Sequence, residues 1–564
     1  MKARSWIALV LGIIASLGIS YGAYTLATYS WNQVVDYRGP YAKAALPAGA
    51  VPGTGTADAD SRVVFVIVDG LREDVSRSMP VLNTLRAHGY DGLAVTGQPS
   101  LSFPNWTTLM SGASQRFSGV TTNWFEERVP VETLVDTALA ADRVVAVSAP
   151  TDFEMLYGVK RSPYVYLRDW EKGVYMTGGI VDNAIRLASE SGATLLIVHS
   201  PDIDEAGHAS GGASKEYLDT ARKVDADLGR LVSALQDRRT TFVIASDHGH
   251  IDTGGHGGPE TIVTEVPVVL AGPSVALGSG AVSQEQIAPT VARIAGLPAP
   301  RNAAAPPIET LVNAPSDDGR FAAQQRSAFA AYAAAVTGGP LDPASGDRRA
   351  FDAATQARLQ RERGERLPMA LGLVLAAILL IAVVGIFSWR ALVSALAGAA
   401  GYYITYNALY FGLHRYGLWS LSSFNSEDLL KAFMNARMIE AVIAGVVAAF
   451  IAADVYLVTR KEPKRPKGEY LPGWLALGVA TALVIQATLV IQVAWYLWFW
   501  GASLVWFIPD LQMGFKYDLD LIQLTAVGAI ALLGPVITYL AGRYHPIRPP
   551  KAAPSDTTVP VASS

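Results

Sequence analysis

The pattern of hydrophobic and polar positions predicts that the N-terminal half of the chain is a water-soluble domain attached to a membrane anchor. Residues 6–29 form an apolar run after Lys2 and Arg4. This run predicts a transmembrane signal anchor that stays attached, with a cleaved signal peptide as the alternative. Residues 30–60, rich in Ala, Gly and Pro, predict a linker. Strand-like and helix-like patterns then alternate over residues 61–310, as expected for a soluble domain, and residues 311–366 predict a helical connector.

The C-terminal part of the chain is dominated by long apolar runs. Each run is long enough to cross a hydrocarbon core of roughly 30 Å. The first two are separated by only Trp389 and Arg390, which predicts a tight helical hairpin. We therefore expect a C-terminal five-helix membrane domain at 367–541, followed by a tail at 542–564. The predicted spans are 367–388, 391–413, 437–458, 472–499 and 520–541.

Loop charges predict how these spans are oriented. Lys2 and Arg4 place the N-terminus, residues 1–5, in the cytoplasm. The basic loop 459–470 and the basic tail then fall on the same side, so the soluble domain lies outside the cell. Four Arg within 358–366 would favour a cytoplasmic position for that segment. Segments attached to large translocated domains, however, follow the positive-inside rule weakly. The expectation is an integral plasma-membrane protein with six transmembrane helices and both termini cytoplasmic.

Composition narrows the possible chemistry. Of the 564 residues, 51% are hydrophobic and 17% are charged, and the mean hydropathy is +0.26. The chain contains no cysteine, which excludes thiolate metal sites, a cysteine nucleophile and disulfides. The net charge of −4, without a basic stripe, argues against nucleic-acid binding.

Three buried-strand patterns end in acidic residues. The segments "RVVFVIVDG" (62–70), "ATLLIVHSPDID" (193–204) and "TTFVIASDHGH" (240–250) alternate with helical stretches such as 215–237. This alternation predicts an α/β fold in which a central sheet carries helices on both faces. Ligands of such sheets bind beyond the carboxyl ends of the strands. The side chains expected there are Asp69, Asp202, Asp204, Asp247 and His248.

Histidines are concentrated in the same part of the chain. Five of the eight lie between residues 199 and 256, interleaved with aspartates. Asp204 and His208 are four residues apart, so they share a helix face. His256 lies in "TGGHGG", where glycines let the backbone approach closely. Carboxylate and imidazole ligands without sulfur suit two divalent ions, Zn²⁺ or Mn²⁺, which act together in phosphoryl transfer.

The stretch "SLSFPNWTTLMSG" (100–112) offers a nucleophile. Ser102 precedes an apolar helical pattern and could be an ordinary N-cap. It could also be a hydroxyl held at a helix end that favours anions. The sequence of this stretch leaves both interpretations open.

Together these motifs resemble the alkaline phosphatase superfamily. The shared elements are "VDG", "SFPN", "DEAGH", "SDHGH" and "GGHGG", and they most resemble the type I phosphodiesterase/nucleotide pyrophosphatase branch. The arrangement of an anchor, an external domain and a polytopic C-terminus is similar to that of GPI ethanolamine phosphate transferases. This chain has fewer C-terminal spans than those proteins, so that part is an analogy.

The resemblance implies a set of site residues. One metal ion would be held by Asp204, His208 and His256. The other would be held by Asp69, Asp247 and His248, together with the oxygen of Ser102, the nucleophile that is often Thr in this branch. Asn123 would bind the phosphoryl oxygens. Asp202 is a weaker candidate than Asp204 for the ligand position beside His208, and His199 and His250 match no ligand position.

The expected function is an extracytoplasmic, metal-dependent phosphodiesterase or phosphotransferase that acts on a lipid-linked or headgroup phosphoester, with phospholipid or glycolipid as the partner. A phosphomonoesterase, or a non-catalytic membrane protein with a degenerate phosphodiesterase-like domain, is the alternative. Polar residues within the spans are further candidates, although Asn407 and Glu440 lie near helix ends. These residues are Asn407, Glu440, Gln486 and Gln492.

Overall fold

The structure is a computed structural model that describes most of the chain. The described residues are 2–39, 61–309, isolated positions between 319 and 334, 348–426, 429–459 and 471–544. Several predicted segments lie outside them: residue 1, linker residues 40–60, nearly all of the connector before residue 348, loop residues 460–470 and the tail after residue 544.

Strands and helices alternate through the soluble part. The strands are β1 (Arg62–Val68), β2 (Gly89–Val95), β3 (Val145–Pro150), β4 (Tyr164–Arg168), β5 (Leu195–Ser200), β6 (Thr240–Ser246), β7 (Glu265–Ala271) and β8 (Gly278–Ser283). The helices, after an N-terminal α1 (Lys2–Val35), are α2 (Glu73–Ser76), α3 (Pro80–Ala87), α4 (Ser102–Ser111), α5 (Gln115–Ser118), α6 (Leu134–Ala140), α7 (Asp152–Tyr157), α8 (Thr177–Ser191), α9 (Asp202–Ser210), α10 (Lys215–Leu235), α11 (Thr261–Thr264) and α12 (Ile287–Ile294).

The sheet confirms the predicted α/β fold but is mixed rather than wholly parallel. The strand order is β4-β3-β5-β1-β6-β7-β2-β8. Strands β4, β3, β5, β1 and β6 are parallel, whereas β7 is antiparallel to both β6 and β2. A parallel neighbour requires a crossover connection, usually a helix. The chain from β6 to β7 instead stays at the carboxyl end of the sheet and returns, so the histidine-rich segment 248–256 lies at that edge.

Both faces of the sheet are packed, as the continuous apolar strands predict. Alternate residues of β1 face opposite sides: Val63, Phe65 and Ile67 join one apolar cluster, and Val64, Val66 and Val68 join the other. Burial of each such side chain stabilises the fold by about 1.5–3 kcal/mol. This rigid sheet fixes the strand ends that carry Asp69 and Asp247.

Long apolar helices make up the C-terminal part. They are α13 (Arg348–Phe387), α14 (Trp389–Asn407), α15 (Leu430–Thr459), α16 (Leu471–Phe499) and α17 (Leu511–Tyr544). Five helices of the described chain are long and apolar enough to cross a membrane: Trp6–Val35, Arg348–Phe387, Leu430–Thr459, Gly473–Phe499 and Leu511–Ala541.

The predicted span 391–413 is not one of those five. It corresponds to α14 and a π-helical segment, Ala408–Leu413. Arg390, directly before this span, and the tyrosines in its second half lower the mean hydropathy of the helix. Its buried side comes largely from small residues and tyrosines, including Ala395, Ala399, Tyr402 and Tyr406.

Helix α1 packs on the C-terminal bundle through polar contacts. Gln486 donates from Nε2 to Ser16 O (3.0 Å) and to Ser20 Oγ (2.9 Å). Ser20 Oγ in turn donates to Leu524 O (2.8 Å). These contacts give Gln486 a structural role, because they join the N-terminal helix to the bundle.

The bundle and the sheet also share a core. Helix α13 continues without a break through the predicted boundary at residues 366 and 367. Its N-terminal half places Phe351 and Leu359 in the same apolar cluster as one face of the sheet, and Trp506, which follows α16, joins them. The bundle is thereby fixed against the soluble domain, and its loops can reach the strand ends.

Candidate active site

Helix α9 presents two predicted metal ligands on one face. Asp204 Oδ2 lies 3.3 Å from His208 Nε2, one helical turn away. His256 Nε2 lies 3.2 Å from His208 Nε2 and 3.6 Å from Asp204 Oδ1. His250 Nε2 lies 2.7 Å from Asp204 Oδ1. Each of the four residues offers a ligand atom within 4.8 Å of the others. The structure thus brings the three predicted residues together and adds His250.

Adjacent strands bring a second predicted group together. Asp69 directly follows β1, and Asp247 and His248 directly follow its neighbour β6. His248 Nε2 lies 3.4 Å from Asp69 Oδ1 and 3.4 Å from Asp247 Oδ2. Trp106 Nε1 donates to Asp247 Oδ2 (2.8 Å) and holds that carboxylate in place. All three side chains are buried.

Buried, closely spaced carboxylates in these two groups favour bound cations. Both carboxylate oxygens of Asp69 are buried and find no hydrogen-bond partner among the described residues. Burial, followed by the charges of Asp247 and Asp204, raises the pKa of Asp69 well above its usual range. Divalent ions would satisfy these oxygens and offset the repulsion. Carboxylates and imidazoles without sulfur are ligands that Zn²⁺ accepts, so the residues present fit a metal site.

Asp204, His208, His250 and His256 form what we call the α9 group, and mutual contacts set the protonation states of its members. Burial alone would raise the pKa of Asp204, but the neighbouring His208 and His250 outweigh burial and hold that pKa well below its usual range. Burial likewise opposes charge on His208, but Asp204 raises its pKa to about 9. Burial lowers the pKa of His250 to about 4. Asp204 is therefore an ionised carboxylate at neutral pH, as a metal ligand must be.

Ser102 opens onto a cavity shared with both groups. The cavity has a volume of about 450 Å³. Ser102 Oγ lies 3.2 Å from His248 Nε2. The amide oxygen of Asn123 accepts a hydrogen bond from Phe103 N (2.9 Å), which leaves its NH₂ group as the donor for a ligand. Predicted residues on the cavity wall are Asp69, Ser102, Asn123, Asp204, His208 and His256.

The helix end at Ser102 differs from expectation in two respects. Leu101 occupies the N-cap position and Ser102 is the first helical residue, so the N-cap interpretation is wrong. Backbone N–H groups of this turn were also expected to hold phosphoryl oxygens. Phe103 N instead donates to Asn123, Pro104 has no N–H, and Asn105 N donates to Leu101 O (3.1 Å). The backbone N–H of Ser102 and the Asn123 amide are left as the candidates for that role.

Two residues that the sequence weighed have other partners. Asp202 accepts hydrogen bonds from Met176 N (2.8 Å) and Thr177 N (2.6 Å) at the start of α8, away from the cluster. His199 Nε2 lies 3.2 Å from Asp69 Oδ2 behind the site, and burial lowers its pKa to about 3. Asp202 therefore stabilises a helix end, and His199 is a neutral, buried neighbour of Asp69 that forms no hydrogen bond with it.

A loop from the helical bundle completes the site, and sequence analysis did not predict it. We call residues 420–426, between α14 and α15, the bundle loop. Phe424, Asn425 and Ser426 line the 450 Å³ cavity. Asn425 O accepts a hydrogen bond from His208 Nδ1, and Asn425 Nδ2 donates to His208 O. The contact fixes the proton on Nδ1 and leaves Nε2 facing the cluster.

The bundle loop also explains the glycines around His256. Gly254 and Gly255 have φ values of +89° and +91°. A Cβ at Gly254 would lie 2.3 Å from Asn425 Oδ1, and one at Gly255 would lie 2.5 Å from Ser422 O. Ser422 Oγ additionally accepts from Gly258 N (3.0 Å). The sequence signal for this contact is weak, because the two segments are far apart in the chain and the loop shows only a polar run.

The sheet domain is similar to known proteins. Residues 63–297 match the family model for type I phosphodiesterase / nucleotide pyrophosphatase. GPI ethanolamine phosphate transferase 1 of Mus musculus is 25% identical over 298 residues, which cover 43% of this chain and 32% of that protein. The catalytic subunit of GPI ethanolamine phosphate transferase 2 of Homo sapiens is 23% identical over 267 residues, which cover 43% and 27%. The chain spans about a third of the length of these relatives.

Solved structures also align with part of this chain. Murine ectonucleotide pyrophosphatase/phosphodiesterase 5 aligns with a TM-score of 0.38 and 13% identity, over 44% of this chain and 100% of that one. Alkaline phosphatase PafA aligns with a TM-score of 0.37 and 11% identity, over 44% and 98%. Over residues 63–297, the family-model match and the curated relatives confirm the resemblance to the alkaline phosphatase superfamily. Within it, the match is to the phosphodiesterase and phosphoethanolamine transferase family.

Proposed function

We propose that this chain is a membrane-bound enzyme that cleaves or transfers a phosphodiester, with Ser102 as nucleophile and two divalent metal ions. The observation that carries the proposal is the shared cavity. Ser102, Asn123 and residues of both candidate metal groups face one space of about 450 Å³. Grouped titratable side chains of this kind in a cleft are typical of an active site.

The proposed metal ions are Zn²⁺, with Mn²⁺ as the alternative. One would be held by Asp204, His208 and His256, and His250 is placed to serve as a fourth ligand or to hold Asp204. The other would be held by Asp69, Asp247 and His248, with Ser102 beside them. When bound, such ions supply the positive charge that acidifies a hydroxyl and stabilises negative charge on phosphoryl oxygens.

The chain's own residues orient the reacting groups. Ser102 gives up its hydroxyl proton and its Oγ forms a bond to phosphorus while the bond to the leaving-group oxygen breaks. The leaving group takes up a proton and departs as an alcohol. The Asn123 amide donates to a non-bridging oxygen and stabilises the charge that builds up there. Water or an acceptor alcohol then takes the phosphoryl group from Ser102 and restores its hydroxyl. Trp106 holds the Asp247 carboxylate in position through its hydrogen bond.

The proposed substrate is lipid-linked. The bundle loop supports this choice, because residues of this loop, which connects two apolar helices, form one wall of the cavity. A lipid headgroup could reach Ser102 while its acyl chains stay beside the bundle. The relatives' names, GPI ethanolamine phosphate transferases, motivate transfer to an alcohol as well as hydrolysis. The proposal keeps the expected organisation, with six spans in the plasma membrane and the catalytic domain outside.

The test is turnover of a chromogenic phosphate diester and of the matching monoester by the purified full-length chain. We expect diester turnover, and we expect Ser102→Ala to lower it by about a thousandfold or more with metal content unchanged. Ser102→Thr, which keeps a hydroxyl, serves as the matched control and should retain measurable turnover.

Each alternative function has a distinct outcome in this test. Preference for the monoester would replace the proposal by a phosphomonoesterase. A metal-free chain without turnover of either ester would indicate a degenerate domain. Undiminished turnover by Ser102→Ala would remove Ser102 from its proposed role.

A further inference from the structure

Residues 119–127, which carry Asn123, lie outside the helices and strands. We call them the Asn123 loop, and they lie between α5 and α6. From Thr121 onward, this loop makes no backbone–backbone hydrogen bond to another segment that the structure describes. The Asn123 side chain accepts a hydrogen bond from Phe103 N (2.9 Å). The position of Asn123 therefore depends largely on how its neighbours in the loop are packed.

The end of helix α1 packs against this loop. The indole rings of Trp31 and Trp124 meet edge to face, with their centroids 5.2 Å apart and their planes at 71°. Just beyond the helix, the Arg38 guanidinium lies over the Phe125 ring, 4.6 Å from its centroid, and pairs with Glu127. Three residues of the loop are thus held from the side of the membrane anchor.

A close backbone approach joins the start of the loop to the same part of the chain. Gly119 has a φ of +72°, and a Cβ there would lie 2.4 Å from Gly39 N. A Cβ at Gly39 would in turn lie 3.1 Å from Gly119 Cα. A side chain at Gly119 would therefore displace backbone. The segment after α1 contacts the loop on both sides of Asn123.

Trp31 also has a more ordinary interpretation, as an interfacial anchor. It follows the predicted span 6–29, and tryptophan is enriched where a helix leaves the hydrocarbon core. In that role the indole would face lipid headgroups and would need no protein partner. In the structure the ring is partly buried, and its partner is Trp124, the neighbour of Asn123. Aromatic rings prefer this edge-to-face arrangement, so the contact favours a role in holding the loop.

From these contacts we propose that Trp31 is a positioning residue for Asn123. Through Trp124, it holds the Asn123 amide on the wall of the catalytic cavity. The membrane anchor is then part of the catalytic unit rather than only an attachment, and it must stay on the chain. The assignment rests on the proposed function in giving Asn123 the role of binding phosphoryl oxygens.

The first measurement reports on the loop itself. Glu126 and Glu127 are exposed, so a glutamate-specific protease can cleave there when the loop leaves its support. Cleavage of a transiently open segment follows the population of the open form. In the full-length chain, we expect Trp31→Ala to speed cleavage at these two sites by about three- to tenfold, the range that loss of one aromatic pair gives. Mass spectrometry locates the cut.

Control variants separate the ring contact from other effects. Trp31→Phe keeps an aromatic ring and should restore most of the protection. Trp6→Ala, at the other end of α1 and 43% exposed, should leave cleavage unchanged. If Trp31→Ala does not fold, Trp124→Ala removes the other ring of the pair and should speed cleavage in the same way.

The second measurement is the affinity for inorganic phosphate, determined by calorimetry on the zinc-supplied, full-length chain that carries Ser102→Ala. We expect Asn123→Ala to lower this affinity by about tenfold or more, because a hydrogen bond to a charged acceptor is lost. Trp31→Ala should lower it by about threefold when Asn123 is present. In the Asn123→Ala background it should have no further effect, which is the signature of action through Asn123.

Two results would overturn the proposal. One is cleavage that is unchanged in both Trp31→Ala and Trp124→Ala. The other is an equal loss of phosphate affinity from Trp31→Ala with and without Asn123.

A failure of the proposed function gives a different pattern. If Asn123→Ala itself leaves phosphate affinity unchanged, Asn123 does not bind phosphoryl oxygens, and the assignment fails with that role. Faster cleavage in Trp31→Ala would still show that Trp31 holds the loop, so the cleavage result tells the two failures apart.

Discussion

Two buried clusters of charged groups lie on either side of the bundle loop, and their charge balance differs. At the sheet edge, Asp69, Asp204 and Asp247 are grouped closely enough that burial and mutual repulsion raise the pKa of Asp69 well above its usual range. In the bundle, Arg437 and Glu440 lie 2.7 Å apart and neutralise each other. The first cluster has carboxylate oxygens without hydrogen-bond partners in the described chain, whereas the second has two guanidinium N–H groups and one carboxylate oxygen, Glu440 Oε2, without them.

The difference indicates what each cluster binds. A group of carboxylates without a matching cation is stable only when it is protonated or binds metal ions. A guanidinium that is paired with a carboxylate is charge-balanced and needs no further ion. The cluster at the sheet edge therefore suits divalent cations, whereas the Arg437–Glu440 cluster needs no bound ion.

Substitution of His208 should produce the largest effect among the ligand residues. His208→Ala removes an imidazole from the α9 group, and we expect diester turnover to fall by about a thousandfold together with loss of metal, because catalysis by that ion is lost. His88→Ala, at an exposed position after α3, is the matched control. Turnover within tenfold of the parent chain would show that the α9 group is not part of the catalytic site.

Asn425→Ala should produce a smaller effect that links the two regions. The substitution removes the hydrogen bond from the Asn425 amide to His208 O but keeps the backbone contact to His208 Nδ1. Complete loss of a partner that orients a metal-binding histidine lowers metal affinity by about 10–100-fold. Because the contact to the imidazole stays, we expect a loss of less than about tenfold. Competition with a chelator measures the affinity. Asn83→Ala is the control, and equal affinities in the two variants would show that the bundle loop does not position His208.

Asp69→Asn should shift stability in opposite directions with and without metal. In the chelated protein the substitution removes a carboxyl whose raised pKa shows that the fold disfavours its ionised form. We expect the melting temperature to rise by about 2–4 °C, the shift that about 1 kcal/mol gives in a domain of roughly 150–250 residues, which is the size of the sheet domain. With metal present the same variant lacks a ligand and should melt below the parent. Asp142→Asn, exposed and remote, should do neither, and a fall in both conditions would contradict the electrostatic account.

Local patterns in the sequence account for much of the sheet domain. Continuous β-branched runs predict buried strands, and strand ends place Asp69 beside Asp247 because neighbouring parallel strands end at one edge. The spacing of Asp204 and His208 favours them over Asp202, whose carboxylate is used at the start of α8. These inferences depend on interactions that repeat along the chain or follow from regular geometry.

Contacts between distant segments could not be predicted in the same way. The antiparallel direction of β7 depends on how the 248–256 segment turns back, which no periodic pattern encodes. His250 joins the α9 group, and Asn425 joins His208, through tertiary packing between parts of the chain that share no motif. The resemblance covers residues 62–300 and therefore gave no information on the bundle loop.

The most direct test of the account is the number of divalent metal ions bound per full-length chain, measured by inductively coupled plasma mass spectrometry after extensive dialysis. The account predicts about two ions per chain, and about one in His208→Ala, with diester turnover restored to the chelated parent only when metal is returned. Diester turnover by a parent chain that carries no metal would contradict it.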